Sequence, residues 1–143
     1  MVCQDQYNLL SREIEKDLIP TVDAHRMSLL PYFPLASGML TGKYRFGAPL
    51  PSGTRLSNKL YSDRFLNDEN RRIIEALLAF CAQRGRNLLE LAFGWLLAKP
   101  LVGSVIAGAS SPDQLRQNTA AACWQLSASE LDEVDRITQR QLT

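Results

Sequence analysis

Val102-Gly103-Ser104-Val105-Ile106-Ala107-Gly108-Ala109-Ser110-Ser111-Pro112-Asp113-Gln114 decides how the rest of the chain is read. Val102 to Gly108 is apolar and β-branched, the text of a strand in a parallel sheet covered on both faces. It runs through small residues into Ser111-Pro112-Asp113-Gln114, a helix start with a capping side chain and Pro at the first helical position. The predicted helix reaches about Ala122. A helix start beyond a buried strand offers unpaired N–H groups and partial positive charge, which suits a phosphate. The same residues equally suit a plain connection in which Ser111 only caps its own helix.

Outward from this segment the pattern continues. On its C-terminal side, Ser127 with Glu130 caps a last helix through Ile137. On its N-terminal side, Asn87 with Glu90 opens an apolar helix to Ala98, which Pro100 ends. Asp68 to Arg84 is a helix with Ile73, Ile74, Leu77, Leu78 and Cys81 on one face and Gly85 as its stop. Ser28 to Phe33 reads as another buried strand, with Pro31 near its end, where a missing N–H costs least. Ser11 to Arg26 has helical spacing at Ile14, Leu18, Ile19 and Val22, divided by Pro20. Val2-Cys3-Gln4 begins as if already inside a strand. Strands separated by helices in this order predict an α/β fold of parallel units with right-handed crossovers. No internal repeat or low-complexity run interrupts it.

The 143 residues fit one domain, with 16 Lys+Arg against 15 Asp+Glu and a net charge of +1. Such a balance lacks the basic stripe expected of a nucleic-acid binder. The most apolar stretch, Leu88 to Ala98, carries Glu90 and falls short of the roughly 20 apolar residues of a membrane span. The first residues do not read as a secretory leader. Cys3, Cys81 and Cys123 are odd in number and widely spaced, which reads as reduced thiols. The expectation is a cytoplasmic protein bound to neither nucleic acid nor membrane.

Catalytic groups are scarce. His25 is the single histidine and lies in a charged helix end. One His and three scattered Cys give no zinc spacing, and no Ser-His-Asp set can be assembled. Pro34 to Asn67 reads as a long loop of about 30 residues, a length that is usually functional or disordered. Within it, Gly38-Met39-Leu40-Thr41-Gly42-Lys43-Tyr44 looks superficially like a phosphate-binding loop. Only three residues separate its glycines, and Tyr44 stands where Ser or Thr should hold magnesium, so that reading fails. Lys43 and Arg55 are candidates for holding an anion, or are solvated loop charges. Tyr32, at the C-terminal end of its strand, either faces a ligand or is an ordinary core aromatic. The GxGxxG fingerprint is absent.

Three runs occur together in order. They are Gln4-x-x-Tyr7-Asn8-Leu9-Leu10-x-Arg12-x-x-Glu15, then Leu30-Pro31-Tyr32-x-Pro34-Leu35-Ala36-Ser37-Gly38-x-Leu40-Thr41-Gly42-Lys43-Tyr44, then Gly108-Ala109-Ser110-Ser111-x-x-Gln114-Leu115-x-x-Asn118. In these the chain resembles the aldo-keto reductase family, most of all its bacterial and potassium-channel β-subunit-like branch. The resemblance implies the C-terminal part of a TIM (β/α)8 barrel, strands six to eight with their helices, and therefore an incomplete barrel. It makes residues 1–143 a partial aldo-keto reductase domain, the NADP-binding half, with 34–67 as a cofactor-covering loop.

The resemblance also implies roles. Gln4 would hydrogen-bond the nicotinamide carboxamide, and Tyr32 would stack on the nicotinamide ring. Phe33, Leu35, Ser37, Gly38 and Lys43 would wrap the pyrophosphate, with Arg55 reaching it from the loop. Ser110, Gln114, Gln117 and Asn118 would hold the adenosine and its 2′-phosphate. Phe33 departs from the Ser usual in the family, and Ser110 and Gln114 are neutral where a basic side chain often stands. The Asp, Tyr, Lys and His of the family's catalytic set have no counterparts here. By resemblance the chain is an oxidoreductase that uses NADP(H), reducing aldehydes or ketones only when a complementary half is supplied. Alternatively it is a non-catalytic nucleotide-binding module, or a remnant that self-associates. Either way, open sheet edges predict a homo-oligomer or a partner chain.

Overall fold

The computed structural model describes residues 1–44, 56 and 59–139. Strand β1 (Val2–Gln6) and strand β2 (Ser28–Tyr32) pair in parallel, with Val2 opposite Ser28 and Gln6 opposite Tyr32. A 3₁₀ turn (Glu13–Glu15) and helix α1 (Leu18–Ala24) make the crossover. Pro20 is the third residue of α1. N–H groups in a first turn have no intrahelical partner, so the ring is tolerated there. Alternation along the strands divides the sheet into two faces. Leu29 and Pro31 are buried under helices, while Gln4 and Val2 lie exposed on the opposite face.

The predicted third strand does not form. Of Val102 to Gly108, only Val102 makes a β-bridge, to Leu29, and Ile106 is 42% exposed. The reason lies in β2. Leu29 donates to the Leu101 carbonyl at 2.7 Å and accepts from Gly103 N–H at 3.0 Å, as a parallel ladder requires. The next donor on that side would be residue 31, and proline has none. The following bond to the Pro31 carbonyl comes from Ile106 N at 2.9 Å. Counting from Gly103, that is one residue later than a regular ladder would place it. Pro31 thus interrupts the middle of this interface, not merely the end of a strand.

Helices α2 (Lys59–Phe65), α3 (Asp68–Ala82), α4 (Leu88–Leu97), α5 (Pro112–Ala121) and α6 (Ala128–Thr138) complete the order. Segment 34–67 is therefore not loop throughout. It holds a kinked 3₁₀ stretch, Ala36–Thr41, and α2; residues 45–55 and 57–58, Arg55 among them, lie outside the described residues. The capping side chains act as expected. Asn87 accepts from Glu90 N at 2.9 Å while the Glu90 carboxylate accepts from Asn87 N at 2.8 Å, and Ser127 and Glu130 repeat the exchange. On α3 the buried face includes Ile73, Ile74, Leu77, Phe80 and Cys81, whereas Leu78 is exposed. Burial, with Glu90 adding to it, pushes the Cys81 thiol up to about 12, so it is inert.

Two close arrangements fix the helices. Gly94 of α4 lies against the backbone beyond α5: a Cβ there would sit 2.6 Å from the Trp124 carbonyl oxygen. Arg12 ties the first turn to the last helix. Its Nε and Nη2 donate to Glu15 at 2.8 and 2.9 Å, and its Nη1 donates to Asp135 at 2.8 Å. Trp95 lies beneath, its ring 5.0 Å from the guanidinium and its Nε1–H donating to Asp135 at 3.0 Å. Burial alone would raise Asp135, but the Trp95 N–H and the charges of Arg12 and Lys99 outweigh it and hold the carboxyl below its ordinary value.

Gly94→Ala drives a methyl into a backbone carbonyl, and a urea melt should show a loss of about 1–3 kcal/mol. Asp135 has a lower pKa folded than unfolded. Its contribution is therefore complete above about pH 4 and is lost as pH falls through the depressed folded value. Stability measured between pH 6 and 2 should fall less steeply below pH 4 in Asp135→Asn than in the parent chain.

Candidate functional site

Parallel strands deliver their following segments to one end of a sheet, and ligands in such sheets gather there. Here β1, β2 and the Leu101–Ile106 segment run in the same direction. The residues that follow them, Tyr7 to Ser11, Phe33 to Lys43, and Ala109 with the start of α5, therefore leave at one end. On the open face, Gln6 is in register with Tyr32, and Gln4 lies one pair below, opposite Leu30.

The turn after β2 is the most distorted backbone in the described chain. Phe33, Ala36 and Ser37 have left-handed φ of 53°, 45° and 57°, and Gly38 follows at 97°. Non-glycine residues adopt this region rarely, and each costs roughly 1–3 kcal/mol unless its surroundings impose it. Asn8 imposes it. Fully buried, it donates from Nδ2 to the Phe33 carbonyl at 2.9 Å, while its Oδ1 accepts from Leu10 N–H at 2.9 Å. The Phe33 carbonyl also accepts from Ala36 N–H at 3.0 Å, and Thr41 closes the turn by donating to the Gly38 carbonyl at 2.7 Å. Asn8 belongs to the Tyr7-Asn8-Leu9-Leu10 run, yet composition alone gave it no role. Its signal was an amide placed among apolar residues directly after a strand.

The predicted residues fall into three groups. Tyr32 and Phe33 meet edge to face, with ring centroids 5.5 Å apart, and Gln4 shares the face of Tyr32. Ser37, Gly38 and Lys43 lie together. A Cβ on Gly38 would come within 3.4 Å of the Lys43 ammonium, which rests 5.0 Å from the Tyr44 ring centroid. Ser37 is 5% exposed, and among the described residues its hydroxyl has no hydrogen-bond partner. Leu35 is half-buried beside this group. At α5, Ser111 caps Gln114 N–H at 3.2 Å, and Ser110 donates from N and Oγ to Gln114 Oε1 at 2.8 and 2.9 Å. Gln117 is exposed and Asn118 half-buried on the same helix.

Chemically, this end of the sheet offers hydroxyls, amides and an ammonium with a half-buried aromatic ring. That set suits an anion joined to flat rings, with no acid–base pair among it. His25 is exposed at the end of α1. Among the described residues no cluster of three or more His, Cys, Asp or Glu could hold a metal, and no helix is long and apolar enough to cross a membrane. Asn8→Ala leaves the Phe33 carbonyl one donor short. Thermal unfolding should show a loss of about 0.5–1.5 kcal/mol, the net contribution of one hydrogen bond, since the Ala36 N–H still reaches that carbonyl.

Residues 1–139 match the model of the Aldo/keto reductase family. A probable voltage-gated potassium channel subunit beta of Arabidopsis thaliana is 34% identical over 97% of this chain and 44% of its own length. L-glyceraldehyde 3-phosphate reductase of Escherichia coli K12 is 34% identical over 95% of this chain and 41% of its own. A glycerol dehydrogenase of Gluconobacter oxydans superimposes with a TM-score of 0.76 at 28% identity, covering 95% of this chain and 41% of that one. The chain thus spans less than half the length of these relatives. Matched across nearly all its length, it belongs to the aldo/keto reductase family.

Proposed function

We propose that this chain is the NADP(H)-holding part of an aldo-keto reductase barrel, from its sixth strand to its C-terminal helix. In this reading it serves the reduction of aldehydes or ketones when a complementary half supplies the proton-donating groups. One observation carries it: the buried hydroxyl of Ser37, unpartnered among the described residues, in a left-handed turn beside the Lys43 ammonium. A buried hydroxyl without a partner is costly, and a phosphate oxygen would satisfy it. The N-terminus of α5 adds oriented N–H groups for a second anionic site. These residues fit a dinucleotide phosphate.

Tyr32, with Gln4 on the same face, would receive the nicotinamide end. Leu35, Ser37, Gly38 and Lys43 would wrap the pyrophosphate together with the backbone of Phe33, with Arg55 joining from outside the described residues. Ser110, Gln114, Gln117 and Asn118 would take the adenosine and its 2′-phosphate. When bound, the reduced nicotinamide supplies the hydride. This chain's own residues orient the ring and neutralise the phosphates, and an exposed Lys43 can swing onto them. The complementary half is provided by another chain or by sequence beyond these residues. Val2, Ile106 and Leu115, at 61%, 42% and 59% exposed, mark where such a partner or a second copy would pack. The setting is the cytoplasm, where free Cys3 and Cys123 stay reduced.

Calorimetric titration of the chain with NADPH tests the reading. Saturable binding is expected, weakened about tenfold by Ser37→Ala and by Lys43→Met, in line with losing a charge-assisted hydrogen bond. Tyr32→Ala and Gln114→Ala should weaken it as well. No heat up to millimolar NADPH would overturn the proposal.

A further inference from the structure

Phe33 is a bulky residue in a conformation that favours glycine, φ 53°, directly after β2. Strain kept at one position points to a use for that position. Its carbonyl is doubly held, by Asn8 Nδ2 and Ala36 N–H. That accounts for the backbone but not for the aromatic side chain, since any residue there would present the same carbonyl. The side chain has its own contact. Its ring meets Tyr32 at 5.5 Å between centroids and 65° between planes, the edge-to-face geometry that aromatic pairs prefer. Both rings are half-buried, and Tyr32 lies on the open face of the sheet beside Gln6.

We infer that Phe33 is a positioning residue that sets the tilt of the Tyr32 ring for a planar ring stacked upon it, the nicotinamide end of the ligand. The ring of Phe33 braces the stacking surface of Tyr32. This inference rests on the cofactor reading above and assigns Phe33 to the nicotinamide end, where the resemblance alone would put it with the pyrophosphate. An edge-on contact restrains the rotation of Tyr32 about its χ angles, so less freedom is lost when a ligand ring stacks.

The test titrates the 143-residue chain with two probes, NADPH and 2′-phospho-ADP-ribose, which lacks the nicotinamide. Phe33→Leu keeps the apolar bulk and the same backbone demand but removes the ring. It should weaken NADPH about threefold to tenfold and leave 2′-phospho-ADP-ribose unchanged, as expected for loss of one aromatic pair. Phe33→Tyr should restore NADPH binding, and in a Tyr32→Leu background Phe33→Leu should have no further effect. Should Phe33→Leu lower the melting temperature sharply, Phe33→Met replaces it in the same cycle. Equal weakening of both probes would overturn the inference by assigning the effect to the turn, and so would no change in either. Those two outcomes leave the cofactor reading standing. Failure of the parent chain to bind either probe overturns both.

Discussion

The Arg12 guanidinium, held between Glu15 and Asp135 above the Trp95 ring, is the constraint on which the rest of this chain depends. It joins the turn after β1 to the last helix across 123 positions of sequence. Burial works against the charge, and the hydrogen bonds and charge of Glu15, together with Asp135, more than restore it. Tyr7 adds to the cluster. Its ring packs 5.0 Å from Trp95, and its hydroxyl donates to Glu15 at 2.6 Å, which with burial pushes the phenol well above its ordinary value. Removing one partner from such a half-buried group leaves the remaining charges less well paired. With β1 anchored through Tyr7 and Arg12, Asn8 is presented to β2, and the turn at Phe33 follows from that.

The site is therefore assembled by relay. A charged cluster among helices fixes Tyr7 and Arg12, the adjacent Asn8 fixes the Phe33 carbonyl, and the left-handed turn then carries Ser37 and Gly38 to where Lys43 can reach them. The turn and the groups that hold it lie together in a chain spanning less than half of its relatives' length.

What was legible in the sequence is what acts locally. Asn67, Asn87, Ser111 and Ser127 all cap residues three positions on, and such short-range exchanges leave a spacing that can be read. The groups at Ser110/Gln114 and Ser37/Gly38/Lys43 were legible only through motifs. Helix α2 was hidden by the prolines and glycines before it, although the Lys59–Asp63 pair, four apart and 2.9 Å in contact, was a usable signal. Period alone cannot tell the centre of a stripe from its rim, so the spacing puts Leu78 on the buried face of α3, where the structure leaves it exposed. The Arg12–Asp135 tie is illegible because nothing in the spacing of residues 12 and 135 marks them as partners. Pro31 stands plainly in the sequence, but the sequence does not say which neighbouring strand will miss its donor.

That missing donor has a dynamic consequence. The Leu101–Ile106 segment is tethered to β2 by three backbone bonds, at Leu101, Gly103 and Ile106, with a silent position between the last two. Segments held this sparsely open locally, without unfolding of the core. Amide protons at Ser104 and Val105 should therefore exchange with solvent far sooner than those of α3 or α4. Since α5 hangs from this segment, a ligand gripping the start of α5 must also still the segment, and part of its binding free energy is spent on that ordering.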